Sequence, residues 1–544
     1  MVTTEQMQRL NRVRVTLESD RKRFDQIWLE IAKYVSPYHG DWSSGSPLEE
    51  ALPSVKDIYD NVAIKSSNRL ADGIQGYACG RTISWFRTAF EQDEFNQSDE
   101  NKQYLQKSER SMYKTLAKSN FYDECRAFLK CGADFGTAVM LRENNDKRSL
   151  PCYKTLHPKH VLIMEDAFGE VDTLFREIWF DTDTAKDYFG KNKLPLAIKD
   201  CESPNAMWRF YHYMGPSYRY KLGIAGTDPF VGIYWAECDI NKTILEERYP
   251  LKPFFAWRWA RSYTGEVWGV DAPGMLEISN IRQLNSMQKD KVRLSQLTAR
   301  PPIKRTEGLM VNFVPGAVID VRSGQDFALA PVTGDLSWLA VDMDAMKASV
   351  RESFYSDFFL VLTENIDRMK TATEVAGLQD EKSALLASFF GRLSSEFLEP
   401  VLEDLFSSEI KYGRLETPPV AIAEKDLRID FVSPLAMIQK RAHELSTTKA
   451  FMAEILPMAQ VAPAILDKVN MDKYIEVLAD AGSVREEVLR SDKDVTDIRK
   501  ARADLQAQQM QQQMMLEQAK VSADVMAKGG KAPEKGSPVE SKMR

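Results

Sequence analysis

The chain has 544 residues, 44% hydrophobic and 28% charged, with a net charge of −7. That length exceeds one compact core and predicts several domains or a large assembly subunit of ordinary soluble composition. The acidic balance argues against a protein that grips nucleic acid over its whole surface, and leaves room for a local basic one. The longest apolar runs, such as 358–362, fall far short of a membrane span. The polar N-terminus predicts no signal peptide and a protein that stays in the cytoplasm where it is made. Six cysteines (Cys79, Cys125, Cys131, Cys152, Cys201, Cys238) include no CxxC and fit a reduced compartment, most of them as small core residues.

Residues 5–35 read as a long helix. Leu10, Leu17, Phe24 and Ile31 recur every seven, and Val13, Ile27 and Tyr34 fill most intermediate positions, with Asp20 the exception. This seam predicts packing along another helix or a neighbouring subunit. Pro37 and Gly40 end the helix, and 45–55 reads as a loop. A helix over about 56–78, a short strand at 83–90 and helices over about 97–118 and 120–131 follow. From 137 to 260 the pattern turns to short β-rich runs. "KHVLIMEDAFGEVDTLFREIWF" predicts a hairpin turning at Asp166-Ala167-Phe168-Gly169. "DTDTAKDYFG" predicts a short helix capped by Asp181 or Thr182 and stopped by Gly190. "RYPLKPFFAWRWA" reads as extended.

After Pro273 a helix of about 27 residues, roughly 40 Å long, runs to Arg300 and stops at Pro301-Pro302. Residues 303–335 read as β and turn. A second long helix runs from near Asp342 to near Ile366, with Val350, Phe354, Phe358 and Val361 on one side; the two helices form an antiparallel pair with the β insert at its tip. The helical pattern then stops and restarts. Thr371 and Glu374 make a capping-box pattern beside two bases, Arg368 and Lys370. Helix continues over 371–411, one or two strands occupy 420–434, and 435–528 is all-helical. Its Gln- and Met-rich end predicts a long helix that needs partner helices to bury Met510, Met514 and Leu516. The final segment, 529–544, has a disordered composition.

Catalytic signals are weak. The phosphate-cradling Gly-x-x-x-x-Gly-Lys-Ser/Thr is absent, as are Gly-x-Ser-x-Gly and His-Glu-x-x-His. Asp134-Phe135-Gly136 has neither a glycine-rich loop nor a His-Arg-Asp motif beside it, and reads as a chance tripeptide. Cys152, His157 and His160 lie close in sequence but lack a fourth zinc ligand at a recognised spacing. Glu91, Asp93 and Glu94 read as a solvated loop.

The helix after Pro273 is more informative. Arg282, Lys289, Arg293 and Arg300 are spaced 7, 4 and 7, so all four fall within about 20° of one line. Leu276, Ile281, Leu284, Met287 and Leu294 lie opposite, with Lys291 intruding. One face is thus a basic stripe about 27 Å long, either solvated or turned to a phosphate backbone.

Five stretches, in this order, resemble the portal protein, or head-to-tail connector, of short-tailed (podovirus-type) phages: "IYDNVAIKSSNRLADGIQ" with "WF" at 85–86; "VLIMEDAFGEVDTLFREIWFDTDTAKDYFG"; "GVDAPGMLEISNIRQLNSMQKDKVRLSQLTARPPI"; "RMKTATEVAGLQDEK"; and "LADAGSVREEVLRSDKDVTDIRKARADLQAQQ". The likeness covers about residues 5–525, and its weight lies in the order of the stretches.

The resemblance implies an α+β, predominantly α-helical subunit that assembles into a ring, usually of twelve, at one capsid vertex. It implies a wing (1–272 and 371–434), stem helices (273–300 and 342–362), a small β/α clip (301–341), a tunnel loop (363–370), a C-terminal helical crown or barrel (435–528) and a disordered tail (529–544). DNA would be packaged through the ring by a terminase and leave through it into the tail. Arg368 and Lys370 would then face DNA, beside the stripe Arg282, Lys289, Arg293 and Arg300. The implied partners are further copies of the chain, the terminase large subunit, major capsid and scaffolding proteins, tail adaptor proteins and passing double-stranded DNA, with no membrane. No enzymatic activity, catalytic residue, cofactor or metal is expected. The location is the virion, with the host cytoplasm during assembly. An acidic chain with narrow basic rings suits sliding, because six to ten phosphate contacts would hold DNA tightly. Two alternatives stay open: another ring-forming head–tail joining or adaptor protein, and a phage DNA-processing enzyme.

Overall fold

A capping box opens the first helix, α1 (Thr4–Tyr34): Gln6 N donates to Thr3 Oγ1 and Thr3 N to Gln6 Oε1. The computed structural model describes residues 2–37, 57–90, 95, 99–145, 150–219, 228–263, 265–299, 303–305, 327–329, 337–359, 390–416 and 427–432 of a first unit, Met1–His443. Of a second, Glu444–Arg544, it describes 452, 455, 470, 473–475 and 492–527. The loop expected at 45–55, the break at 363–373 and the tail 529–544 lie outside the described residues.

The heptad reading of α1 needs correction. Its N-terminal half lays Met7 and Leu10 on a β-sheet, against Leu162, Phe175, Tyr211, Tyr213, Val231, Ile233 and Trp235. Its C-terminal half buries Phe24, Trp28, Ile31 and Ala32 in the main core. Ile27, counted in the seam, is exposed, whereas Trp28 beside it is fully buried and donates from Nε1 to Phe135 O at 3.0 Å. Most of the seam is therefore covered by its own chain, because a 3.6-residue period facing a sheet and helices satisfies nearly the same residues as a coiled coil.

Helix α2 (Val62–Ala78) starts six residues later than its pattern predicts, and strand β1 (Phe86–Phe90) follows. Helices α3 (Asp99–Lys118) and α4 (Phe121–Phe135) lead into β2 (Thr137–Asn145), β3 (Leu150–Leu156), β4 (Val161–Glu165) and β5 (Val171–Asp181). The β4–β5 hairpin turns where expected: Asp166 N donates to Glu170 O at 2.8 Å. Helix α5 (Thr182–Phe189) is capped by Asp181, which accepts from Thr184 N at 2.7 Å, and stops at Gly190. The short α6 (Leu196–Lys199) precedes β6 (Met207–Pro216), β7 (Phe230–Ala236), β8 (Leu245–Tyr249) and β9 (Phe254–Arg258).

Strands β4 to β8 form one antiparallel sheet in sequence order, and β3-β2-β9 a second. Period-2 alternation gives the larger sheet two buried faces. Tyr211, Tyr213, Val231, Ile233 and Trp235 point to α1, while Phe210, Tyr234 and Ala236 point to α5. Helix α4 lies against β2 and β3, and its Gly132 is required there: a Cβ would stand 2.2 Å from the Trp257 ring of β9.

Helices α7 (Pro273–Leu276) and α8 (Ile278–Ala299), strands β10 (Ile303–Arg305) and β11 (Phe327–Leu329), and helix α9 (Ser337–Ser353) come next. A π-helical turn, Ser394–Leu398, continues into α10 (Glu399–Lys411), and β12 (Leu427–Phe431) returns to pair antiparallel with β1. In the second unit α11 (Asp492–Ala527) is a long helix that exposes Leu505, Met510, Met514, Met515 and Leu516. The architecture is thus mixed helix and sheet. All six cysteines are free thiols.

Candidate functional site: the paired helices

Pro273 at the first helical position, after an extended Ala272, starts α7. The sequence predicts one helix from here to Arg300, but it breaks at Glu277 (φ −94°, ψ 0°). Glu277 is buried. Its Oε1 accepts from Ser349 Oγ at 3.3 Å and Ser353 Oγ at 2.7 Å, and its Oε2 from Asn280 Nδ2 at 2.9 Å. A carboxylate at a helix N-terminus suits the dipole. Here it also ties the start of α8 to the end of α9, so the two helices run antiparallel, as expected. The break turns Leu276 off the packing line: it is 60% exposed, whereas Ile281 and Leu284 are buried.

Asn285 of α8 clasps the segment before α2 as a backbone group would. Its Oδ1 accepts from Tyr59 N at 2.7 Å and Asp60 N at 3.3 Å, and its Nδ2 donates to Asp57 O at 2.9 Å. Lys289 Nζ stands 5.5 Å from the Tyr59 ring centroid, and Lys347 of α9 lies 3.9 Å from the Asp60 carboxylate. Arg282 reaches α1, with Nη1 3.1 Å from Glu30 Oε1. Two cations of the predicted stripe are therefore engaged within their own chain. Arg293 is exposed. Arg300, Arg368 and Lys370 lie outside the described residues.

Helix α9 begins at Ser337 and ends at Ser353, earlier at both ends than its pattern predicts. Tyr355, at φ 51°, turns the chain. Phe354, Phe358 and Phe359 are buried, and Arg69 of α2 donates to Ser356 Oγ at 2.9 Å. Gly73 of α2 permits this docking, since a Cβ there would lie 2.5 Å from the Phe359 ring. The stripe reading missed Glu277 and Asn285. A poor helix former such as Asn285 beside the apolar Ile281 and Leu284 was the available signal.

The other sequence candidates have structural roles. Asp134 sits at the end of α4, fully buried, 2.9 Å from Lys130 Nζ and 2.5 Å from Ser67 Oγ, and Ser36 donates to it as well. His157 Nδ1 accepts from Lys159 N at 3.2 Å, and its ring stands edge-on to Phe135 at 5.3 Å. Cys152 lies opposite Glu143 in the β2–β3 ladder. Among the described residues no three acidic, histidine or cysteine side chains form a metal-binding group, and no helix is long and apolar enough to cross a membrane.

The chain is similar to a probable portal protein of Bordetella phage BPP-1, 27% identical over 536 residues, covering 94% of this chain and 93% of that protein. It is also similar to a portal protein of Salmonella phage epsilon15, 25% identical over 560 residues, covering 97% and 96%. A solved structure titled as the neck of an empty GTA particle covers 78% of this chain and 94% of its own at 9% identity. Its TM-score of 0.32 is too low to bear on the fold. The model of the bacteriophage head to tail connecting protein family matches residues 7–489, most of the sequence, and the chain belongs to that family.

Proposed function

We propose that copies of this chain form a closed ring, of twelve, at one vertex of a phage capsid, and that the genome enters and leaves through it. The observation that carries this reading is the similarity to two portal proteins along nearly the whole chain. The local geometry supports it. Helices α8 and α9 return on each other with β10 and β11 between them, a layout that projects a small β element from a helical hairpin. In this reading 273–300 and 342–362 are the stem and 301–341 is the clip that docks the terminase and later the tail. Residues 363–370 form a tunnel loop, and 435–528 the crown. Capsid and scaffolding proteins surround the wing (1–272 and 371–434), and the protein itself catalyses nothing.

Since α1 buries most of its seam within its own chain, the sequence-level argument for a ring shifts to α11, whose exposed Met and Leu side chains call for partner helices. Light scattering and electron microscopy of the purified chain test the ring; a stable monomer across salt conditions would overturn it. Deleting 305–335 with the turn restored should leave rings intact and stop packaging. Replacing Arg368 and Lys370 with Glu should impair packaging or retention of DNA by repelling phosphate, with ring assembly unchanged.

A further inference from the structure

Helices α2 and α4 lie side by side, and polar contacts fix their register at three levels. Lys130 Nζ donates to Ser67 Oγ at 2.5 Å, Arg126 grips the Asp72 carboxylate at 2.5 and 3.2 Å, and Gln75 Nε2 donates to Tyr122 O at 2.6 Å. Beyond the last of these, two thiols meet. Cys79 ends α2, and its Sγ stands 3.4 Å from the Sγ of Cys125 in the second turn of α4. Both side chains are fully buried.

Buried cysteines often serve as small apolar packing. Two sulfurs in direct contact are also one oxidant short of a bond. A disulfide holds its sulfurs about 2.05 Å apart, so this pair has about 1.4 Å to close. Cys79 has the freedom to close it. It stands outside the regular helix, at φ −144° and ψ 44°, and is followed by Gly80. Cys125 is fixed within α4. Because the register of the helices keeps the sulfurs together, either thiol meets an oxidised form of the other at high effective concentration.

We propose that Cys79 and Cys125 are a latent disulfide, reduced while the chain is made in the cytoplasm and joined by hydrogen peroxide after the particle has left it. The setting rests on the capsid reading above; the chemistry does not. The Cys79 sulfur, having lost its proton, attacks one oxygen of the peroxide. The O–O bond breaks, hydroxide leaves and takes up that proton as water, and Cys79 becomes a sulfenic acid. The Cys125 sulfur then attacks Cys79 Sγ. The S–S bond forms, and the second hydroxide leaves as water with the Cys125 proton. Two thiols are oxidised, and one peroxide is reduced to two waters.

Cys79 reacts first because it sits at a helix end, where local opening admits a small oxidant. The hydrogen bond to Cys79 and burial hold the Cys125 thiol well above the ordinary range, which keeps it protonated until the sulfenic acid is beside it. Burial makes the bond slow to form and equally slow to reduce, so it is a lock. It closes a loop over 80–124, which contains β1 and α3, and so restricts the unfolded chain.

The test exposes the purified full-length protein, made under reducing conditions, to hydrogen peroxide. After denaturation and alkylation, mass spectrometry should find the Cys79 and Cys125 peptides joined and lighter by two hydrogens, with Cys131 still alkylated. The unfolding temperature should rise by several degrees, and Cys79→Ser should not show the rise. In Cys125→Ser, dimedone should capture Cys79 as the sulfenic acid, whereas Cys125 of the Cys79→Ser variant should stay a thiol. The wild-type peptide map decides alone if either variant fails to fold. Both thiols still alkylated after prolonged exposure, oxidation to sulfinic acid without the link, or a link to a different cysteine would overturn the proposal. Released particles separate the chemistry from its setting. The joined peptide in particles supports both, and the chain present there with both thiols free would overturn the lock. A chain absent from particles that still forms the link when purified would refute the capsid reading and leave the thiol chemistry standing.

Discussion

The Glu277 carboxylate accepts a hydrogen bond from the Ser353 hydroxyl at 2.7 Å, between residues 76 positions apart. One buried acid thereby closes the base of the α8–α9 hairpin, whose other end leads to β10 and β11. The same side chain accepts from Asn280 and Ser349, so three donors depend on it.

Replacing Glu277 with Ala should leave those donors unanswered and cost about 1–3 kcal/mol. Glu277→Gln should cost less, since the amide oxygen still accepts. Hydrogen exchange reads the effect: amides at the start of α8 and the end of α9 should exchange faster together. Loosening of α8 alone would reduce Glu277 to a helix cap.

Lys130→Met should be the more damaging change. Lys130 and Asp134 are buried 2.9 Å apart, and removing one charge strands the other in the core. The expected loss is about 3–5 kcal/mol, seen as a lower midpoint of thermal or denaturant unfolding. Adding Asp134→Asn removes the charge, keeps one acceptor oxygen and offers its amide hydrogens to the other serine's hydroxyl, and should restore much of it. A double variant no more stable than Lys130→Met would show that shape, not charge, governs the site.

Elements set by local chemistry were legible in the sequence. The Asp166 turn and the Asp181 cap with Gly190 stop stand where the pattern puts them; Val350, Phe354 and Phe358 are buried as expected, but the helix expected to carry all three ends at Ser353. What the pattern could not show is the choice of partner. The α1 stripe reads equally as a coiled-coil seam and as a face for a sheet, and only tertiary contacts separate Ile27 from Trp28. The break at Glu277 was hidden because its cause, two serines of α9, is distant in sequence. Spacing placed Arg282, Lys289 and Arg293 on one line, but not Glu30 and Tyr59 beside two of them.

Asp404 gives a pH signature. Burial holds its carboxyl up at about 6, against an ordinary value of 3.8, while Arg142 and Lys411 pull the other way. The folded chain then holds this proton more tightly than the unfolded chain. Its contribution to stability is present below 3.8 and is lost as pH rises to about 6, by on the order of 3 kcal/mol. Asparagine does not titrate. The stability of Asp404→Asn relative to the wild type should therefore rise across this window and level off above it. A difference that is flat, or that falls with pH, would show that Asp404 ionises as an ordinary carboxylate.

The last prediction separates the cations of α8. Arg282 shares an exposed ion pair with Glu30, a type of contact worth about 0–1 kcal/mol, so Arg282→Ala should scarcely move the melting temperature or DNA packaging. Lys289→Ala removes the cation over Tyr59 and should cost about 0.5–1 kcal/mol, loosening the segment that Asn285 clasps. Arg293 is exposed on the same line. If this line borders the DNA path, Arg293→Ala should leave assembly intact and change packaging rate or DNA retention. Arg293→Glu should do so more strongly, because it sets a negative charge against phosphate. The effect should shrink as salt rises, since screening shortens the reach of an exposed charge to about 8 Å at physiological ionic strength. Equal loss of packaging in all three alanine variants would mean that the cations act as one face and that their contacts to Glu30 and Tyr59 yield to DNA. If Arg293→Glu packages and retains DNA at the wild-type level, α8 does not turn its basic line to the channel.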